Sequence, residues 1–167
     1  MTIAIRAATP ADLPLIDELI RALAAYEKLG HEVRFDEAVL GEKLFGKQTY
    51  AEVLIGEVDS IAQGFALFFH NFSTFEGLPG IYLEDLFVRP EARGSGLGKA
   101  LLTQLAALAV ERGCARLEWS VLDWNEPAIG FYQKLGARLM KGWTGMRVDG
   151  ANLKRLGANA RDSADSC

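Results

Sequence analysis

Cysteine and histidine are scarce, with two of each in 167 residues. Neither Cys114 nor Cys167 shows C-x-x-C or metal-site spacing, so no disulfide or zinc site is implied. Cys114 reads as a small buried hydrophobe and Cys167 as a tail residue. His31 and His70 stand alone without metal-like partners, and no metal is expected. Basic charge is also short: 18 Lys and Arg against 22 Asp and Glu leave a formal net charge of −4, with no strongly basic run. A nucleic-acid binder shows the opposite balance, so nucleic acid is not an expected partner. No apolar run reaches the length of a membrane span, and residues 1–10 hold no long apolar stretch of the signal-peptide kind. A membrane partner is therefore not expected, and a reducing cytoplasm is the expected location.

What is present suits a globular protein. Half of the residues are hydrophobic and 24% are charged, enough apolar material for a core without metals or disulfides. Strand and helix patterns alternate along the chain. Residues 3–6 read as a strand. Thr9-Pro10-Ala11-Asp12 reads as a helix start, with a capping residue, a first-turn proline and an acid three positions on. Leu13, Ile16, Ile20 and Leu23 share one helical face, predicting a helix to about Lys28 that Gly30 ends. A second helix is predicted over 36–45. Residues 50–57 and 61–69 are strands in pattern, with Asp59-Ser60 as a hairpin turn between them. Residues 71–80 read as a loop, 81–88 as a strand and 97–112 as a strongly apolar helix. A strand over 116–122, a helix over 126–134 and two final strands over 137–140 and 144–148 complete the order βααβββαβαββ. That order predicts a mixed α/β domain over residues 1–150, followed by a polar, frayed tail over 151–167.

The sharpest local signal is Arg93-Gly94-Ser95-Gly96-Leu97-Gly98, between a strand and a helix. Glycines permit a tight turn and let a ligand approach backbone N–H groups. The helix N-terminus adds unpaired donors and the positive end of its dipole, and Arg93 and Lys99 add charge. A tight turn without ligand is one reading. A dinucleotide fingerprint needs G-x-G-x-x-G, and a P-loop needs G-K-[ST]; here the spacing is G-x-G-x-G, and Gly98-Lys99-Ala100 fails the second pattern. The pyrophosphate of coenzyme A fits best.

The same six residues resemble the [QR]-x-x-G-x-[GA] loop of the GCN5-related N-acetyltransferases. Asn125-Glu126-Pro127-Ala128-Ile129-Gly130-Phe131-Tyr132 resembles that family's N-x-x-[AS]-x-x-x-Y motif, in the usual order and at the usual separation. The match of elements runs from about Ile3 to Val148. Within the family, Tyr82-Leu83-Glu84-Asp85-Leu86-Phe87-Val88, Trp124-Asn125-Glu126-Pro127, Ala24-Ala25-Tyr26-Glu27 and Gly142-Trp143 resemble the diamine (spermidine/spermine) acetyltransferase subgroup. The resemblance implies a mainly antiparallel central sheet flanked by helices. It also implies acetyl-CoA as co-substrate and a homodimer built through the late strands.

The resemblance also implies roles. Tyr132 matches the acid that protonates the departing thiolate; by pattern alone it is a core tyrosine. Asn125 matches the residue that bonds the pantetheine arm, and equally suits an N-cap. Leu86, Phe87 and Val88 would flank the pantetheine, the Leu86 N–H polarising the thioester carbonyl. Arg93, Gly94, Ser95, Gly96, Leu97, Gly98 and Lys99 would hold the pyrophosphate. Glu84 matches the residue that assists amine deprotonation. Strand alternation puts Glu84 and Asp85 on opposite faces, leaving Asp85 an amine-binding or structural role. Glu27 would reach the substrate mouth or sit on a solvated face. Trp124 and Trp143 would line an amine pocket or pack half-buried.

The subgroup's acids before Gly-Trp are replaced here by Met140-Lys141, and Phe72-Ser73-Thr74-Phe75 carries no acid. Lys141 suits a substrate bearing a carboxylate. The expected activity is acetyl transfer from acetyl-CoA to a primary amine of a small molecule, a polyamine or a lysine- or thialysine-like amino acid. The alternatives are a protein or peptide N-acetyltransferase and a non-catalytic acyl-CoA-binding protein.

Overall fold

The computed structural model describes residues 1–164, with side chains through residue 160; Cys167 lies outside the described residues. The elements are β1 (Ile3–Ala7), α1 (Leu13–Tyr26), α2 (Glu37–Phe45), β2 (Glu52–Val58), β3 (Ile61–Ser73), β4 (Leu78–Val88), α3 (Leu97–Glu111), β5 (Leu117–Trp119), α4 (Glu126–Lys134) and α5 (Gly150–Ala164). The chain divides into two compact units, Met1–Trp124 and Asn125–Cys167.

The first unit holds one five-stranded sheet in the order β1-β2-β3-β4-β5. The first four strands pair antiparallel and β5 joins β4 in parallel. Ile16, Leu19 and Leu23 of α1 and Leu44 of α2 pack with Val53, Ile55, Phe65, Leu67 and Phe87 from one sheet face. The other face receives α3, whose Leu97, Leu101 and Leu105 are fully buried. Gly56 permits this approach, because a Cβ there would come within 2.8 Å of Leu97 Cδ1. The chain entry to α1 is fixed electrostatically. Arg6 bonds Asp12 through both carboxylate oxygens at 2.8 Å and Glu57 at 2.7 Å, and the Thr9 N–H donates to Asp12 Oδ2 at 2.7 Å. The Arg6 bonds hold the Asp12 carboxyl down at about 2.

The segment expected as a loop over 71–80 is largely ladder. Asn71, Phe72 and Ser73 pair with Gly80, Pro79 and Leu78. The reversal is confined to the residues after Ser73, where Gly77 takes φ +66° and returns its N–H to the Ser73 carbonyl at 2.8 Å. Gly and Pro in this stretch serve a hairpin tip and a strand start rather than a long loop.

In the second unit α4 spans the expected residues, but 137–140 and 144–148 are not strands. Both runs are short, and Gly136 and Gly142 flank the first with φ of +96° and +93°. A strand without a ladder partner leaves its backbone groups unpaired, and so short a hairpin does not hold alone. The segment expected as a frayed tail is instead helical from Gly150 through Ala164. Its Ala, Leu, Lys and Arg residues favour helix, although little of it is apolar.

Candidate active site

The chain leaves β4 through a 3-10 turn at Pro90–Ala92 and enters the glycine loop. Gly94 takes φ +80° and Gly96 φ +92°, a region that side-chain-bearing residues enter at a cost. The Ser95 hydroxyl accepts the Leu97 N–H at 3.2 Å. The following N–H groups, of Gly98 and Lys99, lie in the first turn of α3 and have no acceptor within the helix. A Cβ on Gly98 would meet only Val88 Cγ2, at an ordinary 3.7 Å. Among the described residues none crowds this position, which leaves the Gly98 backbone open to close approach. Arg93 is held in place: its Nε donates to the Val88 carbonyl at 3.2 Å and its guanidinium lies 4.7 Å over the Tyr26 ring and 5.8 Å from that of Phe87. Lys99 is exposed.

Beside this loop the β4 edge is open. Strand β5 pairs with β4 only at Ile81, Tyr82 and Leu83, so among the described residues the stretch from Glu84 to Val88 has no strand partner on that side. The Leu86 N–H and its neighbours thus lie beyond the reach of the β5 ladder.

The carboxylates are positioned by a β-bulge. Leu67 pairs with Asp85 and the next residue, Phe68, with Leu83, which leaves Glu84 as the extra residue. Cross-strand partners share a face. Leu67 belongs to the α1-side core, so Asp85 faces α1, whereas Leu83 lies with Phe68 on the opposite side. The bulge therefore breaks the alternation expected of Glu84 and Asp85. Both line one cavity of about 420 Å³, together with Ile20, Leu23 and Glu27 of α1 and Glu32, Val33, Arg34 and Phe35 from the segment beyond it. Asp85 is pushed up to about 7, first by burial and then by the charges of Glu84 and Glu27. Burial also raises Glu27. A carboxyl at that value, in a cavity walled by further carboxylates, attracts an ammonium group and exchanges a proton near neutrality.

Trp124 closes the first unit, 49% exposed, its ring 6.3 Å from that of Tyr26 and under the Lys28 ammonium at 4.9 Å. In the second unit Asn125 is buried and caps α4, its side chain accepting the Ala128 N–H at 3.4 Å. Tyr132 lies on α4, half-buried, with its ring 5.4 Å from that of Phe131. Trp143 is 79% exposed rather than packed half-buried.

Comparison with known proteins supplies the family. The model of the acetyltransferase (GNAT) family matches residues 16–137. The chain belongs to this family. The chain is 35% identical to the thialysine N-epsilon-acetyltransferase of Sus scrofa, covering 93% of this chain and 97% of the relative. It is 32% identical to an L-ornithine N5-acetyltransferase of Arabidopsis thaliana, over 91% of this chain and 86% of the relative. Among solved structures, an integron cassette protein from the mobile metagenome of V. cholerae superposes with a TM-score of 0.78 at 27% identity, covering 94% and 98% of the two chains.

As a member of the family, this acyl-CoA-dependent N-acetyltransferase uses acetyl-CoA as co-substrate. The donor set fits it: first-turn N–H groups of α3 and two left-handed glycines suit a pyrophosphate. The bulge at Glu84 left no mark in the sequence, because an inserted residue looks like any other strand residue. The place of Leu29 and residues 32–35 on the cavity wall was also missed. A signal was available in Val33 and Phe35 alternating with charged Glu32 and Arg34, the pattern of an extended segment with one covered face.

Proposed function

We propose that this acetyltransferase moves the acetyl group of acetyl-CoA directly to the side-chain amine of a lysine-like amino acid. The observation that carries the reading is the half-buried Asp85 carboxyl, raised to about 7 in a cavity walled by Glu27, Glu32 and Glu84. The relatives named for thialysine and ornithine acetylation support the substrate class.

An amine arrives as ammonium and must lose a proton before it can attack. In this reading Glu27 and Glu84 hold the ammonium and the Glu84–Asp85 pair removes the proton, Asp85 being the half that is free to take it near neutrality. The neutral amine then attacks the thioester carbonyl, polarised by the Leu86 N–H, and the tetrahedral intermediate expels the coenzyme A thiolate. Tyr132 donates its phenolic proton to that thiolate; the motif supports this role. Leu86, Phe87 and Val88 flank the pantetheine and Asn125 bonds it. The loop from Arg93 to Lys99 holds the pyrophosphate, with Arg93 acting mainly by bracing Tyr26 and Val88. Trp124 and Trp143 remain proposed contacts of the acceptor. The reading includes no metal, a cytoplasmic setting and a homodimer. Leu139, Met140, Trp143 and Met146, large apolar residues left exposed in the second unit, support the homodimer. Residues 1–150 act as the catalytic domain, and the segment after them is an appendage.

Release of free thiol from acetyl-CoA, measured against lysine, thialysine, ornithine, spermidine, putrescine and N-terminal peptides, tests the reaction. Turnover concentrated on the amino acids is expected; turnover confined to peptides or to polyamines would overturn the substrate class. The Tyr132→Phe variant is expected to keep acetyl-CoA affinity while kcat drops at least about a hundredfold. Unchanged kcat would remove Tyr132 as the acid. Elution as a monomer in light scattering would overturn the dimer.

A further inference from the structure

Helix α1 stops at Tyr26, and the chain reverses at Lys28, which takes φ +61°. A 3-10 turn at Gly30–Glu32 follows, and Val33 is extended. The chain thus passes back along the mouth of the carboxylate cavity. Val33 and Phe35 turn inward and are half-buried, and Phe35 is braced by the Arg21 guanidinium 4.8 Å over its ring. Glu32 and Arg34 alternate with them and stand at the rim. Among the residues lining the cavity, Arg34 is the only cation, against Glu27, Glu32, Glu84 and Asp85. Its side chain is 81% exposed and its guanidinium lies 4.0 Å from the Glu32 carboxylate. That separation is beyond hydrogen-bond length, so the guanidinium fork remains available for a second carboxylate.

A cavity that is acidic within and carries one Glu–Arg pair at its rim matches one kind of molecule. The inner carboxylates take an ammonium. At the rim, a second ammonium alone would meet Arg34 with like charge. An α-ammonium beside an α-carboxylate would meet both partners with opposite charge, the carboxylate on Arg34 and the ammonium on Glu32. We propose that Glu32 and Arg34 form a clamp for the zwitterionic head of an amino acid, and that Arg34 sets the preference for amino acids over the corresponding diamines. The inference rests on the reading of the cavity as the acceptor site.

Lysine and cadaverine test it, because they carry the same terminal amine and differ by the α-carboxylate; lysinamide retains the α-amine and removes only the charge. Their affinities for the protein saturated with coenzyme A are measured by calorimetry, and their kcat/KM by thiol release. The wild type is expected to prefer lysine over both analogues by about twofold to fivefold, as a rim-exposed ion pair gives. Arg34→Gln is expected to abolish that preference, raising KM for lysine and lowering KM for cadaverine, whose second ammonium no longer meets like charge at the rim. Arg34→Lys is expected to restore part of it, and Glu32→Gln to weaken lysine without affecting acetyl-CoA. Equal losses for lysine and cadaverine, or an unchanged preference in Arg34→Gln, would overturn the clamp. Carboxylate-dependent binding that Arg34→Gln removes, without turnover of any amine, would support the clamp and sink the proposed reaction.

Discussion

Asp85 carries a proton to a higher pH in the folded protein than it does in the unfolded chain, and this has two measurable consequences. Its carboxyl stands at about 7 against an ordinary value of 3.8, because burial and the charges of Glu84 and Glu27 disfavour the ionised form. Below about pH 4 both states hold the proton and Asp85 is neutral to stability. Between about pH 4 and 7 the folded state holds a proton that the unfolded state has released, so stability falls as pH rises. Above about 7 the penalty is complete, with an upper bound of about 4 kcal/mol for a shift of this size. Asp85→Asn removes the penalty while keeping the shape. It is expected to be more stable than the wild type by about 2–4 kcal/mol at pH 8, the difference vanishing near pH 4, in denaturant titrations. In the wild type, kcat/KM for an amine is expected to fall as pH drops through about 7, and Asp85→Asn to lose at least about a hundredfold with that limb gone. A variant no more stable than the wild type at pH 8 would show that Asp85 is not a strained carboxyl. The sequence pointed to Glu84 and Asp85 as a pair. Which half is the less exposed could not be read from it, because the bulge depends on how β4 registers against β3.

Elements with strong local signals formed where the pattern put them. Helix α3 begins at Leu97 behind its glycines, α4 spans Glu126–Lys134 behind Asn125, and α2 follows Asp36, whose side chain accepts the Ala38 and Val39 N–H groups. Elements that depend on a partner were harder to read. The β3–β4 hairpin runs further than its Gly- and Pro-bearing tip suggested, because the ladder between Asn71–Ser73 and Leu78–Gly80 satisfies backbone groups that a loop would leave to water. Residues 137–148 have strand-like composition but pair with nothing in their own unit. The turn between β2 and β3 was read correctly, though its chemistry is imperfect. Asp59 and Ser60 have φ of +50° and +65°, both left-handed, as the tight hairpin turn demands. Asp59 is tolerated there and its carboxylate accepts the Thr2 N–H at 2.8 Å. Ser60 has no such compensation from its type. Ser60→Gly is expected to stabilise the protein by about 0.5–1 kcal/mol, and Ser60→Val to destabilise it by more than that, read from urea midpoints at constant slope. A loss on Ser60→Gly would mean that the hydroxyl holds the turn.

At the scale of the whole chain, stability and chemistry are unevenly distributed. The first unit carries the sheet, the buried core and the carboxylate cavity. Helix α5 was invisible to pattern reading because Gly150–Ala164 has few apolar residues, and its described side chains are all exposed, Leu153 and Leu156 included. A helix whose described side chains bury nothing contributes little to the stability of the chain that carries it. Removing residues 150–167 is therefore expected to shift the melting temperature of a monomeric chain by no more than about 2 °C, since exposed changes stay within about half a kcal/mol. The proposed homodimer makes a different demand. A helix with exposed leucines at positions 153 and 156 has an i, i+3 stripe suited to a second copy. If α5 lies in that interface, the truncated chain loses the concentration dependence of its melting temperature and elutes as a monomer, while acetyl-CoA binding by its glycine loop persists. Truncation that leaves both the dimer and the melting temperature intact would place the interface elsewhere, on the apolar stretch from Leu139 to Val148.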